Sequence, residues 1–396
     1  MLKKLLYQRQ MSGRDIAEIG RVATPLELLF DLVYVVAIAS AASGLHHALA
    51  HHHIGSGLLS YALAFFCIFW AWMNFTWFAS AFDTDDVSFR LAAMVQMFGS
   101  IVFAAGVEAF FKSEPDLSMG FIGFVIMRLA LAYQWLRAAT QAPAHRKTAI
   151  AYAVGIIIMQ AFWGVFLLLP QEYFAVVILL CLGELSVPAI AEKCFGATPW
   201  HAHHITERYG LLVIIVLGEG VLGSLNSISA LAKSDIIGAG VVGFGALLIV
   251  FMLWWFYFSG ASKGHLYHKK RSLGQIFFVA YEHYFIFAAM ASVGAALEIV
   301  ADALKPDSHT SALYAICALS VSVCASLFFS TIMAISAKAY SNLKLIALIS
   351  PLFAMTGVAI VAALGNLAAG IYTVALAPII SIAILSIAGN KDASHH

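Results

Sequence analysis

The feature that most limits what this chain can become is its series of long apolar segments with few charges between them. A helix needs about 20 mostly apolar residues to cross the hydrocarbon core of a bilayer. Twelve such segments can be marked, at approximately 24–44, 57–80, 88–111, 118–138, 149–169, 173–192, 205–227, 236–260, 275–300, 310–335, 343–364 and 366–388. Little of the 396-residue chain is left over. Hydrocarbon offers no partner to a backbone amide, so a segment of this length satisfies its own amides as a helix. The fold class expected is an all-α integral membrane protein of about 12 transmembrane helices. Composition agrees, because 11% of the residues are charged where a soluble domain carries about 25%.

Orientation follows from the bases, which concentrate in short cytoplasmic loops. With the amino terminus inside, eighteen of the 22 Lys and Arg residues fall on the inner side, among them Arg9, Arg14, Arg21, Arg90, Arg137, Arg208 and the basic stretch Lys263 to Arg271. Only Lys112, Lys233 and Lys305 fall outside, and Arg128 lies in the middle of span four. Both termini are therefore expected in the cytoplasm. The first 20 residues are polar and basic and lack the apolar centre of a cleavable signal, so the first span is expected to persist. A net charge of +1 supplies no field to attract nucleic acid. The cysteines Cys67, Cys181, Cys194, Cys317 and Cys324 lie in apolar runs without paired spacing and are expected as buried free thiols.

The chain also has the marks of a duplication at a period of roughly 180 residues. Glu27-Leu28-Leu29 near the start of span one is answered by Glu207-Arg208-Tyr209 in span seven, and Trp70, Trp72 and Phe75 by Trp254, Trp255 and Tyr257. Six spans per repeat would make the halves parallel. The expected organisation is a cytoplasmic segment over 1–23, six-helix halves over 24–200 and 201–390, and a tail over 391–396 whose His395 and His396 suggest a tag remnant.

Charges inside a span cost roughly 2.5–3.5 kcal/mol each on insertion scales, so they mark partners or pathways. Arg128, Glu184 and Glu219 lie deepest, with Glu282 and His283 about two turns into span nine. One arginine cannot neutralise two glutamates, and a carboxyl without a cation in low-dielectric surroundings favours its neutral form, which suits a proton carrier or cation ligand. The bland alternative is that Arg128 pairs with one glutamate to hold the bundle together. A second cluster gathers at the cytoplasmic ends. Glu27, Asp31 and Tyr34 share a face of span one. Asp83, Asp85, Asp86 and Arg90 follow span two, and His204, Glu207 and Arg208, with His201 and His203 just before them, open span seven. Glu27 and Asp31 are expected to be held by Arg90, Arg208 or backbone donors. The spacing matches no standard metal site, and neither metal nor cofactor is expected.

The motifs Thr24-Pro25-Leu26-Glu27-Leu28-Leu29-Phe30-Asp31-Leu32-Val33-Tyr34, Asp83-Thr84-Asp85-Asp86 with Arg90, and His204-Ile205-Thr206-Glu207-Arg208-Tyr209-Gly210-Leu211 running on to Leu217-Gly218-Glu219 resemble those of the bacterial low temperature requirement A family. The resemblance covers most of the chain and implies a multispanning protein of a bacterial inner (plasma) membrane, but no substrate. The functional expectation is a proton-linked secondary transporter or proton-conducting channel, with Glu184 and Glu219 as titrating groups. The alternatives are a membrane-embedded enzyme or lipid-processing protein with a cytoplasmic Asp/His/Glu/Arg site, and a membrane sensor or structural protein. The expected partners are membrane lipids and a small ion or small molecule, with a homodimer open as an assembly. No Walker A motif or Gly-x-Ser-x-Gly elbow occurs, which disfavours ATP-driven transport and serine hydrolysis.

Overall fold

The computed structural model describes residues 9–168, 174–261, 272–306, 308–336 and 343–393. The basic stretch Lys263 to Arg271, the bases Lys3, Lys4 and Lys338, and His395 and His396 lie outside the described residues. Among the described residues the chain forms twelve α-helices and no strand: α1 (Pro25–Ala50), α2 (Ile54–Phe82), α3 (Val87–Val107), α4 (Ser118–Gln141), α5 (Arg146–Phe166), α6 (Phe174–Phe195), α7 (Ala202–Leu231), α8 (Ile236–Phe256), α9 (Leu273–Ala303), α10 (Ala312–Ser336), α11 (Leu343–Leu364) and α12 (Leu367–Ala393). Each apolar segment falls on one helix. Among the described residues eleven helices are long and apolar enough to cross a membrane, and α11 contributes the shorter apolar stretch Ile349–Leu364. Several helices outrun their apolar segments, α7 reaching Leu231, because a helical backbone keeps its own hydrogen bonds whether lipid or water surrounds it.

The chain divides into two compact units. The first takes the residues up to Ala41 and Ser60–Arg208. Within it α3, α4, α5 and α6 pack in succession. The α3–α4 contact is glycine-built: a Cβ on Gly99 would stand 2.8 Å from the Gly123 carbonyl oxygen, and one on Gly106 would stand 2.9 Å from the Met119 carbonyl carbon. Lipid tails are as apolar as leucine, so close backbone approach at small residues holds such helices together. Aromatic stacking extends the core, with the Trp135 and Tyr152 rings 4.0 Å apart.

The second unit takes Ala42–Leu59 and the residues from Tyr209 onward. Here α9, α10, α11 and α12 pack in succession, and α12 also packs on α8. Helices α7 and α9 meet at Gly294, where a Cβ would stand 2.6 Å from that of Glu219. The cysteines are free, but Cys194 near the end of α6 is exposed and only Cys67 is buried. The expectation of five buried thiols is thus too simple: an apolar neighbourhood in a membrane helix can face lipid as readily as the core.

Candidate functional site: a buried ionic cluster

The site begins with the start of α1. Pro25 has no N–H to waste at the first helical position, and Thr24 precedes it as the cap. Thr24 Oγ1 accepts the Glu27 N–H at 3.3 Å, while Glu27 Oε2 accepts the Thr24 N–H at 2.8 Å and the Thr24 hydroxyl at 2.9 Å. This reciprocal arrangement is a capping box. It commits one Glu27 oxygen to the helix end and turns the other inward.

That inner oxygen, Oε1, lies 2.9 Å from Arg208 Nη1 and 3.0 Å from His204 Nε2. His204 and Arg208 are four apart on the first turns of α7 and so share a face. Arg208 Nη2 also reaches Asp31 Oδ1 at 2.5 Å, and that oxygen accepts the Trp72 indole N–H from α2 at 2.7 Å. The Arg208 guanidinium lies over the Trp72 ring, 5.9 Å from its centre. Glu27, Asp31, His204 and Arg208 are all fully buried. Arg21 widens the group, its Nη2 standing 3.7 Å from Glu27 Oε2 and 3.4 Å from Asp83 Oδ2. Three carboxyls, Glu27, Asp31 and Asp83, thus face two arginines and one histidine. Such a set is neutral only when one proton sits on His204 or on a carboxyl.

The α2–α3 turn supplies the remaining acids and gives each a different task. Asp85 adopts the left-handed conformation, φ 47°, which Asp tolerates better than most residues, and its N–H donates to Asp83 Oδ1 at 2.8 Å. Burial, then the nearby Glu27 carboxylate, push Asp83 up to about 6 against the pull of Arg21. Asp86 caps α3 by accepting the Phe89 N–H at 2.9 Å and also binds the Arg137 guanidinium. Burial works against its charge, but these donors outweigh burial and hold its carboxyl below the usual range. Arg90 pairs with Asp85 at 2.8 Å, half exposed. Of the two arginines expected to hold Glu27 and Asp31, the structure uses Arg208. Glu207 points elsewhere, accepting the Ala23 N–H at 3.0 Å.

A second buried group lies in the same unit. Glu184 accepts from Arg128 Nη2 at 2.8 Å, from the Trp70 indole at 2.9 Å and from Gln160 Nε2 at 2.8 Å. Arg128 and Glu184 are fully buried. The arginine therefore has one glutamate, with two neutral donors completing the shell. Tyr34 donates to Met127 Sδ at 3.0 Å and lies within electrostatic reach of both Asp31 and Arg128.

In the second unit Glu298 accepts from Asn226, and Asp302 pairs with His46 and Lys305, whereas Glu219 and Glu282 are served differently. Glu219 is half-buried on α7. Glu282 on α9 is 6% exposed, and among the described residues neither of its carboxyl oxygens has a hydrogen-bond partner. His283 stands between two partners, the Val279 carbonyl 2.6 Å from Nδ1 and the Tyr257 hydroxyl 3.1 Å from Nε2. With Nδ1–H donating to that carbonyl, Nε2 is left to accept from Tyr257. Among the described residues no group of three or more His, Cys, Asp or Glu side chains could hold a metal ion.

Several members of these groups are not legible in the sequence. Trp70 and Trp72 entered only as marks of duplication, yet their indoles bind Glu184 and Asp31; a buried indole N–H needs an acceptor, and that was the available signal. Arg137 on Asp86 belongs with them, as does Glu192, which accepts from Tyr152 at 3.0 Å and from the Thr198 hydroxyl at 2.6 Å.

Eleven long apolar helices among the described residues, with charged side chains sealed among them, define a multispanning all-α membrane protein. Residues 22–382 match the family model for the bacterial low temperature requirement A protein, and the chain belongs to that family. It is similar to an uncharacterized protein of Rhizobium meliloti (strain 1021), 28% identical over 249 residues, which cover 59% of this chain and 57% of that relative. No solved structure matches it.

Proposed function

We propose that the protein is a proton-linked secondary transporter or proton-conducting channel, in which the cluster of Glu27, Asp31, His204 and Arg208 carries the exchangeable proton. One observation carries this reading: in the fully buried cluster, extended through Arg21 to Asp83, three carboxyls meet two arginines, and within this set a proton on His204 or on a carboxyl balances the charge. A buried net charge costs several kcal/mol, and gaining or losing that proton shifts the energy of the whole group. The Glu184–Arg128 pair, with its full set of donors, is the fixed neighbour in this reading, and Glu219 is a secondary candidate in the other unit. The distribution of bases supports both termini in the cytoplasm, and membership of a bacterial family of helical membrane proteins supports an inner-membrane location.

The test uses sealed liposomes containing a pH-sensitive dye, with charge movement compensated by an ionophore. Wild-type protein should dissipate an imposed pH gradient faster than protein-free vesicles. His204→Gln should slow the flux at least about tenfold, equivalent to about 1.4 kcal/mol in a barrier. A wild-type rate equal to that of empty vesicles, with any co-solute tried, would remove the transport reading.

A further inference from the structure

A polar cavity of about 380 Å³ lies beside the cluster, bounded by the segment before α1 and the α2–α3 turn. Gln10, Ser12 and Asp85 on its wall are exposed, so it opens to the surroundings. Arg14, Arg21 and Asp83 line it too, although the Asp83 side chain itself is only 6% exposed. Asp83 therefore has two faces. One borders the cavity, and the other meets Arg21 Nη2 at 3.4 Å, the nitrogen that also stands 3.7 Å from Glu27 Oε2. Among the cavity-lining residues, Asp83 is the carboxyl that shares a guanidinium nitrogen with the buried cluster.

We infer that Asp83 is the proton port of this unit, taking protons from water in the cavity and passing them to the Glu27–His204 pair. The inference rests on the proton-linked reading above and names the residue through which that site exchanges with water. The steps balance in atoms and charge. A hydronium ion in the cavity gives its proton to an Asp83 oxygen and becomes water. The new Asp83 O–H bond then breaks as a bridging water relays a proton to Glu27 Oε1 or His204 Nε2, restoring the Asp83 carboxylate. Arg21 stays charged throughout and holds the two carboxylates near one another. Among the described residues, the charged and titratable groups around Asp83 are Arg14 and Arg21 from the segment before α1, Glu27 from α1 and Arg90 from α3, with Arg9 and Asp85 on the cavity wall. The ordinary value of a carboxylate is displaced at Asp83 to about 6, which suits exchange near neutral pH.

The experiment follows the infrared band of protonated carboxyls after a rapid pH drop, on purified protein in detergent, with liposome flux measured in parallel. Asp83→Asn keeps the Oδ1 acceptor for the Asp85 N–H but removes the titration, and should slow cluster protonation at least about tenfold. Asp83→Glu should restore most of the rate. A second arm leaves Asp83 intact: Ser12→Cys on a Cys194→Ala background, labelled with a bulky thiol reagent, should plug the cavity and slow the same step. If Asp83→Asn does not fold, the plugged protein decides. Wild-type rates in both arms would overturn the port. Slowed protonation together with absent wild-type flux would uphold the port and remove the transport reading, so the two failures are distinguishable.

Discussion

The two units treat their most deeply buried acids in opposite ways. In the first, every such carboxyl at the site has charged or strongly donating partners: Glu27 and Asp31 share Arg208, and Glu184 has Arg128, Trp70 and Gln160. In the second, Glu282 is nearly as buried but has no hydrogen-bond partner among the described residues. The contrast teaches that burial alone does not define a role. A carboxyl with a full set of donors, as Glu184 has, is part of the framework, whereas Glu27 and Asp31, sharing Arg208 with His204 beside them, keep a place for a proton; in either group, losing one member leaves uncompensated charge behind. A carboxyl without partners can be neutralised by substitution at little cost.

The largest effect expected from this contrast is at Arg208. Arg208→Ala strands Glu27 and Asp31 together, and breaking a buried pair costs about 3–5 kcal/mol. Thermal unfolding in detergent should show a large drop in melting temperature, most of it recovered when Glu27→Gln and Asp31→Asn are added. A small change on Arg208→Ala alone would show that water reaches the cluster freely.

Next comes a matched pair of substitutions. Glu184→Gln leaves Arg128 charged and unpaired and should cost about 3 kcal/mol or more, whereas Glu282→Gln should change stability by less than about 1 kcal/mol. Equal losses in the two variants would erase the contrast. A smaller effect is expected of Trp72→Phe, which removes the indole donor from Asp31 and keeps most of the ring; hydrogen bonds to charged groups contribute about 1.5–3 kcal/mol.

The mildest test is the pH dependence of stability. Asp83 holds its proton more tightly when folded, at about 6, than in an unfolded chain, at about 3.9. Its contribution to stability is therefore full below about pH 4 and lost as the pH rises through about 6. Asp86, held below the usual range by Arg137, runs the other way and loses its contribution as the pH falls through its folded value. Asp83→Asn should abolish the first slope and leave the second, as read from melting temperatures across the acid range.

Much of the fold was legible in the sequence because a bilayer leaves a segment of about 20 apolar residues one way to satisfy its backbone; each of the twelve segments lies on a helix. The cluster was legible as a set of residue types, since Glu27, Asp31, His204 and Arg208 are conspicuous where charge is expensive. What could not be read was who pairs with whom. Arg90 and Arg208 were equal candidates for Glu27, and only the structure shows Arg90 turned to Asp85 in the half-exposed turn. Arg21 looked like one more base of the leading segment, yet it joins Glu27 to Asp83. The indoles of Trp70 and Trp72 passed for apolar filling because their rings are apolar, while their single N–H groups decide where they sit.

On the proposed reading the exchangeable proton belongs to the cluster of Glu27, Asp31, His204 and Arg208 and not to Glu282. This assignment is tested most directly by comparing Asp31→Asn and Glu282→Gln in one liposome reconstitution, with proton flux measured at equal protein density. Asp31→Asn should slow flux at least about tenfold, while Glu282→Gln should stay near the wild-type rate. A wild-type rate for Asp31→Asn together with loss of flux in Glu282→Gln would contradict it and move the proton to the second unit.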